Sequence, residues 1–356
     1  MAEKILMKGN EALAEAAIMA GCRHYFGYPI TPQTEVAAYM AKRMPKIGGC
    51  FLQAESEIAA INMVIGAASA GKRAMTSSSS PGISLKSEGI SYMAGCDLPA
   101  LIVNVQRGGP GLGGIQPSQS DYFQATRGGG HGDYHLLVLA PSSVQEMADL
   151  VSKGFDLAEK YRMPCMLLAD GTMGQMMEPV ELHEKQEAPI EKPWALTGTE
   201  GKRKPNIINS LALEPQELEK WNEDRFKRYD IVREHEQMSE SYCMEDAEYC
   251  VVAFGIAARV AKNAIVEARK KGIKVGMVRP ITIWPFPKKA MAKAADHCVS
   301  LLSVELNMGQ MIDDIRLAIE CRRPVSLCNR TGGLIPSPGE VLAKIEELSA
   351  KGGAKE

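Results

Sequence analysis

The sequence has none of the features that mark membrane-spanning, secreted or nucleic-acid-binding proteins. No apolar run in its 356 residues approaches the roughly 18 to 20 residues that span a bilayer, so no transmembrane helix is predicted. The first residues lack the apolar stretch and cleavage site of a secretory signal, which makes the cytoplasm the expected compartment. Lys and Arg number 41 against 43 Asp and Glu, a balance that provides no broad positive field for nucleic-acid phosphates. Neither a membrane nor a nucleic acid is expected as a partner.

Cysteines are few and scattered. There are nine, and no two of them form a CxxC pair. The missing close spacing argues against a structural zinc site or an iron–sulfur cluster in this chain, and the odd count argues against a disulfide framework. Most of the cysteines are therefore expected to be reduced core residues. An iron–sulfur cluster that serves this protein would have to lie on another chain.

The sequence does contain an alternation of short apolar runs with longer amphipathic stretches. This alternation predicts an α/β fold with a doubly wound, mainly parallel sheet over residues 1–182, and a second, smaller α/β domain over 247–346. The length also favours more than one domain. The predicted strands of the first domain are 24–26, 50–53, 73–76, 100–105, 135–139 and 165–169.

Two other segments differ in composition from these α/β regions. Residues 183–246 are polar, charged and rich in proline, and they are predicted to form a connector that contains an exposed helix over 221–241. Residues 347–356 end in a Lys- and Gly-rich tail, which is predicted to be disordered.

The segment Tyr28-Pro29-Ile30-Thr31-Pro32 lies directly after a predicted strand and directly before a predicted helix. Open α/β sheets bind their ligands at the carboxyl ends of parallel strands, so this turn is a candidate site. The same residues also fit a local role, in which Thr31 caps the helix and Pro32 occupies its first position. The sequence leaves both interpretations open.

A pair of acids, Glu55 and Glu57, begins the apolar helix predicted to follow the second strand. A carboxyl group buried at such a position would have a raised pKa and would suit proton transfer. Acids in a first helical turn are also favoured by the helix dipole on any surface helix, and this alternative stays open. At most one of the two needs a special role.

Arg107 ends a predicted strand and is followed by the glycine-rich run 108–114. A guanidinium beside a flexible loop suits bidentate capture of a carboxylate. Gly109, Gly111 and Gly114 also satisfy GxGxxG, which raises the alternative of a nucleotide-binding dehydrogenase. The run continues into Ile115 without opening a helix, and this context argues against that alternative.

Two further features carry less information. His131 and His135 form an HxxxH pair, but the glutamate of a zinc protease is missing, so a structural role is favoured over metal binding. The serine-rich run 76–82 fits either a cradle for a polar ligand or a simple turn.

Together, six separated motifs resemble the alpha subunit of the 2-oxoacid:ferredoxin oxidoreductases. Their order along nearly the whole chain makes the resemblance far more specific than any single motif. The branched-chain (3-methyl-2-oxobutanoate, or 2-oxoisovalerate) members are the most similar in appearance, followed by the 2-oxoglutarate members. The motifs are YPITP at 28–32, ESEIAA at 55–60, Arg107 with GGPGLGG, LLADGTMGQ at 167–175, VRPITIWPFP at 278–287 and VELNMGQM at 304–311.

This resemblance implies a thiamine diphosphate site shared between subunits. Glu57 would hydrogen-bond the aminopyrimidine ring, with Pro29 and Ile30 beside the cofactor. Thr31 would offer its hydroxyl to the bound 2-oxoacid, and Arg107 would pair with the substrate carboxylate. The first domain would be a pyrimidine-binding domain, and the second would resemble the carboxyl-terminal domain of transketolase.

The resemblance also implies partners. Enzymes with this cofactor hold its diphosphate through magnesium with a Gly-Asp-Gly motif and a downstream asparagine pair. Ala169-Asp170-Gly171 lacks both features, so we interpret Asp170 as structural and expect a beta subunit to bring the diphosphate and magnesium half of the site. Gamma and delta subunits would carry iron–sulfur clusters, ferredoxin would accept the electrons, and coenzyme A would accept the acyl group. The chain alone would be inactive. The alternatives are a 2-oxoglutarate enzyme and, from another class, a non-catalytic scaffold subunit.

Overall fold

Two mainly parallel sheets with helices packed on their faces form the core of the protein. The computed structural model describes residues 4–183 and 190–352. The strands are β1 (Ile5–Lys8), β2 (His24–Gly27), β3 (Cys50–Gln53), β4 (Ala74–Ser78), β5 (Leu101–Gln106), β6 (Leu137–Leu139), β7 (Cys165–Asp170), β8 (Met177–Val180), β9 (Ser239–Tyr242), β10 (Tyr249–Ala253), β11 (Val275–Pro280), β12 (Thr282–Trp284), β13 (Ser300–Glu305) and β14 (Val325–Asn329).

The helices cover both sheets. They are α1 (Gly9–Met19), α2 (Thr34–Arg43), α3 (Glu57–Ser69), α4 (Ser80–Gly95), α5 (Tyr122–Thr126), α6 (Val144–Tyr161), α7 (Gly171–Gln175), α8 (Pro215–His235), α9 (Gly255–Lys270), α10 (Lys288–His297), α11 (Met311–Ala318) and α12 (Pro338–Gly352), with a 3₁₀ turn at Met44–Ile47. In the described part of the chain, no helix has the length and apolar character that a membrane crossing requires.

The larger sheet has seven strands in the order β12-β6-β7-β5-β4-β2-β3. All neighbours from β6 to β3 pair in parallel. Every residue of β5 and β7 is buried, as expected for continuous apolar runs that lie between two helical layers. The predicted parallel sheet is therefore confirmed, and the carboxyl ends of β2, β4, β5 and β7 lie along one edge.

The side of this sheet that contains β6 and β12 differs from the prediction. β6 begins at Leu137, not at His135, whose ring stacks on Trp284 with centroids 4.5 Å apart. β12, which the sequence did not predict, comes from residues far along the chain and pairs antiparallel with β6. A segment of the second α/β region therefore completes the first sheet.

The smaller sheet has five strands in the order β14-β13-β10-β11-β9. Its three parallel pairings join strands predicted from the sequence, whereas β9 comes from the charged segment and pairs antiparallel with β11. The helix predicted in that segment is present as α8, which begins earlier than expected and ends at His235. It is not fully exposed, because Arg225, Tyr229 and Val232 are buried on one face.

The end of the chain is more ordered than predicted up to Gly352. Helix α12 includes residues 347–352, which the sequence analysis assigned to a disordered tail. Its buried residues Val341 and Ile345 anchor the preceding turns, and this packing favours continuation of the helix. Residues 353–356 lie outside the described part of the chain.

Candidate functional site

The candidate site lies along the carboxyl edge of the larger sheet, where α/β sheets bind ligands. Four connections meet there: the turn after β2, the junction of β4 with α4, the loop after β5, and the junction of β7 with α7. Glu57 joins them from the start of α3, directly after β3. The sheet topology thus gathers residues that are far apart in the sequence.

The turn after β2 does not have the predicted cap geometry. Helix α2 begins at Thr34, and the residue at its N-cap position is Gln33, whose side chain makes no capping hydrogen bond. Thr31 is therefore not a helix cap, and the prediction that it caps α2 with Pro32 at the first position is wrong. The physical reason is tertiary, because the carbonyl groups of Thr31 and Pro32 accept hydrogen bonds from Arg107 (3.0 Å) and Asn10 (2.8 Å) and hold the turn open.

Within that turn, Thr31 and Pro29 are exposed, while Ile30 is half-buried. The side chain of Gln33 lies beneath them and donates from Nε2 to the carbonyl oxygen of Tyr28 (3.2 Å). The turn is therefore a fixed loop, with the Thr31 side chain on the outside.

Glu57 and Glu55 have different environments. Glu55 is exposed, whereas Glu57 retains only 6 % of its accessible surface. The capping of α3 is performed by Ser56, whose hydroxyl accepts a hydrogen bond from the Ala59 amide at 3.1 Å. In the described part of the chain no group donates a hydrogen bond to the Glu57 carboxylate. Such a buried carboxylate costs free energy until a ligand or a water supplies a donor.

The Glu57 carboxylate faces the first turn of α4. A Cβ atom placed on Gly82 would lie 2.7 Å from Glu57 Oε1 and 2.1 Å from the hydroxyl oxygen of Ser78. Glycine is required here because any side chain would displace one of the two groups.

The serine-rich run, which the sequence left as either a cradle or a turn, forms the end of β4 and the start of α4. Ser78 and Ser79 are fully buried, and their hydroxyl oxygens have no hydrogen-bond partner. Ser80 is linked to the next strand, since its hydroxyl accepts from the Arg107 amide (3.1 Å) and donates to Asp121 (2.5 Å). Burial raises the pKa of the Asp121 carboxyl. Two unpaired hydroxyls at this edge are suited to a polar ligand.

Arg107 is buried at the end of β5, with 8 % of its surface exposed. It donates from Nη1 to the carbonyl of Thr31 (3.0 Å) and from Nη2 to that of Leu112 (3.3 Å), while its Nε has no partner. Arginine has five N–H donors, so donors remain for an anion. Arg107 and Thr31 are therefore neighbours in the structure. Glu57 lies beside the first turn of α4.

The glycine-rich loop closes on itself and opens no helix. The Gly114 amide donates to the Gly108 carbonyl (2.9 Å), and the Gly108 amide donates to that of Gln116 (3.0 Å). Gly113 has a positive φ of 57°, and a Cβ there would lie 1.8 Å from the Gly108 oxygen. A dinucleotide fingerprint requires a strand–turn–helix context, which this loop lacks.

Lys86 is a site residue that the sequence analysis missed. It has no accessible surface, and its Nζ donates to Thr76 Oγ1 (2.6 Å) and to the Ser77 carbonyl (3.1 Å). Burial lowers the pKa of Lys86 to about 7, and the nearby Glu57 acts in the opposite direction. A signal was present, because Lys86 interrupts the apolar stripe of α4 that contains Ile83 and Ile90.

Asp170 has the structural role expected for it. Its Oδ1 accepts from the amides of Thr172 (2.9 Å) and Met173 (3.0 Å) and so caps α7. Burial raises the pKa of Asp170 to about 6, although the amides of Met173, Thr172 and Ile256 oppose the shift. Ile256 lies in the first turn of α9, so the Asp170 carboxylate accepts hydrogen bonds from the first turns of both α7 and α9.

The motif at 304–311 supports the site from the second sheet. The Glu305 carboxylate accepts the amides of Gln310, Met311 and Ile312 at the start of α11, at 2.8 to 2.9 Å. The next residue, Leu306, exchanges two hydrogen bonds of 3.1 Å with Gln119. The second α/β region therefore fixes the loop that carries Asp121.

The two histidines of the HxxxH pair do not form a metal site. His135 Nε2 lies 3.0 Å from Arg233, and burial together with that charge lowers the pKa of His135 to about 4. His131 is exposed, with its ring edge-on to Tyr92. Over the described ranges 4–183 and 190–352, no group of three or more His, Cys, Asp or Glu side chains is arranged to hold a metal.

A buried carboxylate, a buried arginine and two unpaired serine hydroxyls therefore lie along one edge of the sheet. Residues 15–248 match the family described as "Pyruvate flavodoxin/ferredoxin oxidoreductase, thiamine diP-bdg", and residues 247–341 match "Pyruvate:ferredoxin oxidoreductase core domain II". The chain belongs to the 2-oxoacid:ferredoxin oxidoreductases, a thiamine-diphosphate-binding family of oxidoreductases.

Its relatives are subunits of such enzymes. The chain is 49% identical, over 97% of its length and 98% of the relative's, to the ketoisovalerate oxidoreductase subunit VorB of Methanothermobacter marburgensis. It is 36% identical, over 97% of its length and 99% of the relative's, to the 2-oxoglutarate synthase subunit KorA of the same organism. The resemblance predicted from the motifs is confirmed.

A solved structure has the same fold. It is the 2-oxoglutarate:ferredoxin oxidoreductase of Magnetococcus marinus with 2-oxoglutarate, coenzyme A and succinyl-CoA bound. The TM-score is 0.85 at 29% identity, and the match covers 97% of this chain but 65% of the larger one. The chain thus spans about two thirds of that protein.

Proposed function

We propose that this chain is the alpha subunit of a multisubunit enzyme that oxidatively decarboxylates a branched-chain 2-oxoacid, 2-oxoisovalerate foremost, to the acyl-CoA and passes the electrons to ferredoxin. The substrate class is supported by 49% identity to a ketoisovalerate oxidoreductase subunit, against 36% to a 2-oxoglutarate synthase subunit. The observation that carries the proposal is the buried Glu57 carboxylate, unpaired among the described residues, at the ligand-binding edge of a sheet in a thiamine-diphosphate-binding family.

The residues at Glu57 fit the pyrimidine end of thiamine diphosphate. The carboxylate lacks a protein donor, and Gly82 leaves it room to face a ring. Glu57 would hold and exchange a proton at a ring nitrogen, with Pro29 and Ile30 of the neighbouring turn against the ring. When bound, the cofactor supplies the electron sink that decarboxylation of a 2-oxoacid needs. The protein's contribution is the orientation of the ring and a fixed site for the proton.

Arg107 and Thr31 are proposed to bind the substrate. Arg107 is already oriented by two backbone carbonyls, so little side-chain entropy is lost when its free N–H groups meet a carboxylate. The exposed Thr31 side chain, fixed beside it, supplies a short neutral donor. The unpaired hydroxyls of Ser78 and Ser79 are further candidate donors on the same edge.

The rest of the reaction is assigned to partner subunits. Asp170 is engaged in capping helices, which makes it a poor magnesium ligand, so we expect a beta subunit to hold magnesium and the diphosphate. The nine cysteines are free thiols without cluster spacing, and we therefore expect gamma and delta subunits to carry the iron–sulfur clusters. Ferredoxin and coenzyme A would act on the assembled complex, and the chain alone would be inactive.

A second candidate substrate is 2-oxoglutarate. It is favoured by the TM-score of 0.85 to an enzyme that has this acid bound. A 2-oxoglutarate site needs a second cation for the distal carboxylate, whereas a branched-chain site needs an apolar wall. The two substrates are therefore separable by assay.

The decisive assay compares substrates on the co-expressed complex. Turnover of 2-oxoisovalerate, 2-oxoglutarate and pyruvate would be measured without oxygen, with coenzyme A and a viologen dye as electron acceptor. We expect the highest kcat/KM for 2-oxoisovalerate. A higher value for 2-oxoglutarate would replace the substrate assignment. Near-normal turnover by the complex with Glu57→Gln would favour the scaffold alternative.

A further inference from the structure

We propose that a cavity at the amino edge of the larger sheet is a binding site for a small nucleotide, with arginine side chains for its phosphate and a tryptophan ring for its base. The inference goes beyond the proposed function and does not depend on it. The cavity has a volume of about 340 Å³, within the range of small-molecule sites. The lining residues that matter here are Asp97, Arg162, Trp194, Trp221, Arg225 and Arg228.

The cavity lies on the opposite edge of the sheet from the candidate active site. Asp97 comes shortly before β5, and Arg162 comes shortly before β7. These two strands are parallel neighbours, so both residues lie at the amino ends of strands whose carboxyl ends point to the candidate active site. Helix α8, from the charged connector, supplies Trp221, Arg225 and Arg228. A ligand in this cavity would therefore be distinct from the 2-oxoacid.

Positive charge exceeds negative charge in the cavity. Asp97 is the acid that pairs with the arginines, since its Oδ1 lies 3.3 Å from Arg225 Nε and also accepts a hydrogen bond from Arg228. The other lining acid, Asp224, pairs with Lys227 at 2.8 Å. Three guanidinium groups against the one carboxylate leave two charges uncompensated, and the carbonyl ends of α4 and α6 offset only part of them.

Two of the three arginines have hydrogen-bond donors to spare. Arg225 uses all three of its nitrogens for bonds within the protein. In the described part of the chain, Arg228 donates only from Nη2, and Arg162 donates only from Nε, to the Asp97 carbonyl at 3.3 Å. Both terminal nitrogens of Arg162 therefore remain for a ligand. A planar guanidinium with two such nitrogens matches the geometry of a phosphate group.

Arg162 is held in position before any ligand arrives. Its guanidinium lies over the Trp194 ring, 4.8 Å from the centroid. Burial lowers the pKa of Arg162, and Arg228 adds to this effect although Asp97 opposes it. An anion beside Arg162 would relieve this unfavourable environment. Because the side chain is already ordered, little conformational entropy would be lost on binding.

Trp221 supplies a flat apolar surface beside these cations. Two of the three tryptophans of the chain line the cavity. The ring and cation contacts of tryptophan in the described residues involve Trp194 and Trp284, and none involves Trp221. Trp221 is half-buried, so its indole keeps a surface on which a base can stack. An open aromatic ring next to uncompensated arginines fits a base that carries a phosphate.

The first test titrates the full-length chain with ADP and follows tryptophan fluorescence, which a base stacked on Trp221 should quench. We expect saturable quenching by ADP, with binding roughly tenfold or more tighter than that of adenosine or inorganic phosphate, because each of these has only half of the required groups. No saturable quenching and no heat of binding at millimolar ADP would overturn the inference. This measurement needs no variant, so it stays decisive if a variant fails to fold.

Two variants test the two halves of the cavity. Arg162→Met should weaken ADP binding roughly 10- to 100-fold, the effect of losing a charge-assisted hydrogen bond, and should remove the preference for ADP over adenosine. Trp221→Leu should remove most of the quenching and the preference for ADP over inorganic phosphate. Arg316→Met, an exposed arginine on α11, is the matched control and should bind ADP as the wild type does. Wild-type affinity in both cavity variants would place the ligand elsewhere and contradict the inference.

Calorimetry on the assembled complex tests the site in the enzyme itself. ADP should bind the complex, and Arg162→Met should weaken that binding as it does in the chain. Binding by the chain that is lost in the complex would mean that a partner subunit fills the cavity, and it would overturn the inference.

The outcomes separate this inference from the proposed function. ADP binding is measured without turnover, and Arg162→Met should retain the kcat/KM of the complex for its 2-oxoacid because the cavity lies on the other edge of the sheet. ADP binding in a complex that turns over no 2-oxoacid would support the inference and contradict the function. Turnover in a complex that binds no ADP at this cavity would do the reverse.

Discussion

Arg107 donates a hydrogen bond from Nη1 to the carbonyl oxygen of Thr31 at 3.0 Å. The bond joins the end of β5 to the turn after β2, two strands that are separated in the sheet by β4. The other terminal nitrogen donates to Leu112 in the glycine-rich loop at 3.3 Å. One buried side chain thus orders two loops at the candidate site, and a change at position 107 is expected to affect both.

Replacement of Arg107 by lysine tests its role as the anion-binding group. Lysine keeps the charge but cannot make the forked contacts to two carbonyls and a carboxylate. We expect KM for the 2-oxoacid to rise, with kcat/KM falling roughly 30- to 1,000-fold, the equivalent of about 2 to 4 kcal/mol. Arg316→Lys, on the exposed side of α11, should have no such effect, and wild-type KM in Arg107→Lys would contradict the assignment.

Replacement of Glu57 by glutamine tests the proton site. Glutamine has the same shape but holds no exchangeable charge, so we expect kcat to fall by about 10² to 10⁴. The variant should still fold, because glutamine fills nearly the same volume and Ser56, not Glu57, caps α3. Steady-state kinetics and denaturant unfolding measure the two effects. Glu55→Gln, its exposed neighbour, is the control and should retain full activity.

Gly82→Ala tests the contact between α4 and Glu57. The added Cβ would overlap Ser78 Oγ and Glu57 Oε1, at 2.1 and 2.7 Å, and one of them must move. We expect weaker thiamine diphosphate binding by the complex, followed by fluorescence titration, and a loss of about 1 to 3 kcal/mol in stability. Gly66→Ala in α3 is a matched control, since no atom lies within 4 Å of its added Cβ. That variant should be neutral or more stable by about 0.5 to 1 kcal/mol.

Stability should depend on pH through Lys86. Its pKa is lowered from 10.5 to about 7 in the folded chain, so the unfolded chain binds more protons between these two values. The free energy of unfolding then rises with pH across that window. Lys86→Met has no amine whose charge is penalised by burial. We therefore expect the free energy of unfolding of Lys86→Met to exceed that of the wild type most near pH 7, and the difference to shrink toward pH 10. A constant difference from pH 7 to 10, measured by urea unfolding, would contradict the lowered pKa.

The buried strands were the most predictable part of the fold. The ends of β5 and β7 were predicted to within one residue, because continuous apolar runs between helices have few alternatives. β3 was predicted with its observed ends although it is a mostly exposed edge strand. The short antiparallel strands β1, β8 and β12 were missed, since each has three or four residues and only its distant partner stabilises it.

The sequence predicted the candidate-site residues that lie just after a strand. Arg107 and Glu57 lie at strand–loop and strand–helix junctions, as their sequence positions indicated. The cap assigned to Thr31 was wrong because hydrogen bonds from Arg107 and Asn10 override the local preference. Lys86 was missed because a lysine within a helix is usually exposed, and only tertiary packing reveals that it is buried.

β12 has a consequence for how such a chain can be divided. Thr282 and Trp284 pair with Leu139 and Val138, so the outermost strand of the first sheet is contributed by the second α/β region. A cut near residue 247, where the two family matches meet, would expose the backbone edge of β6 and the aromatic ring of His135. A fragment of residues 1–247 expressed alone is therefore expected to self-associate through the unpaired edge of β6, and a fragment study would need to include residues 282–284.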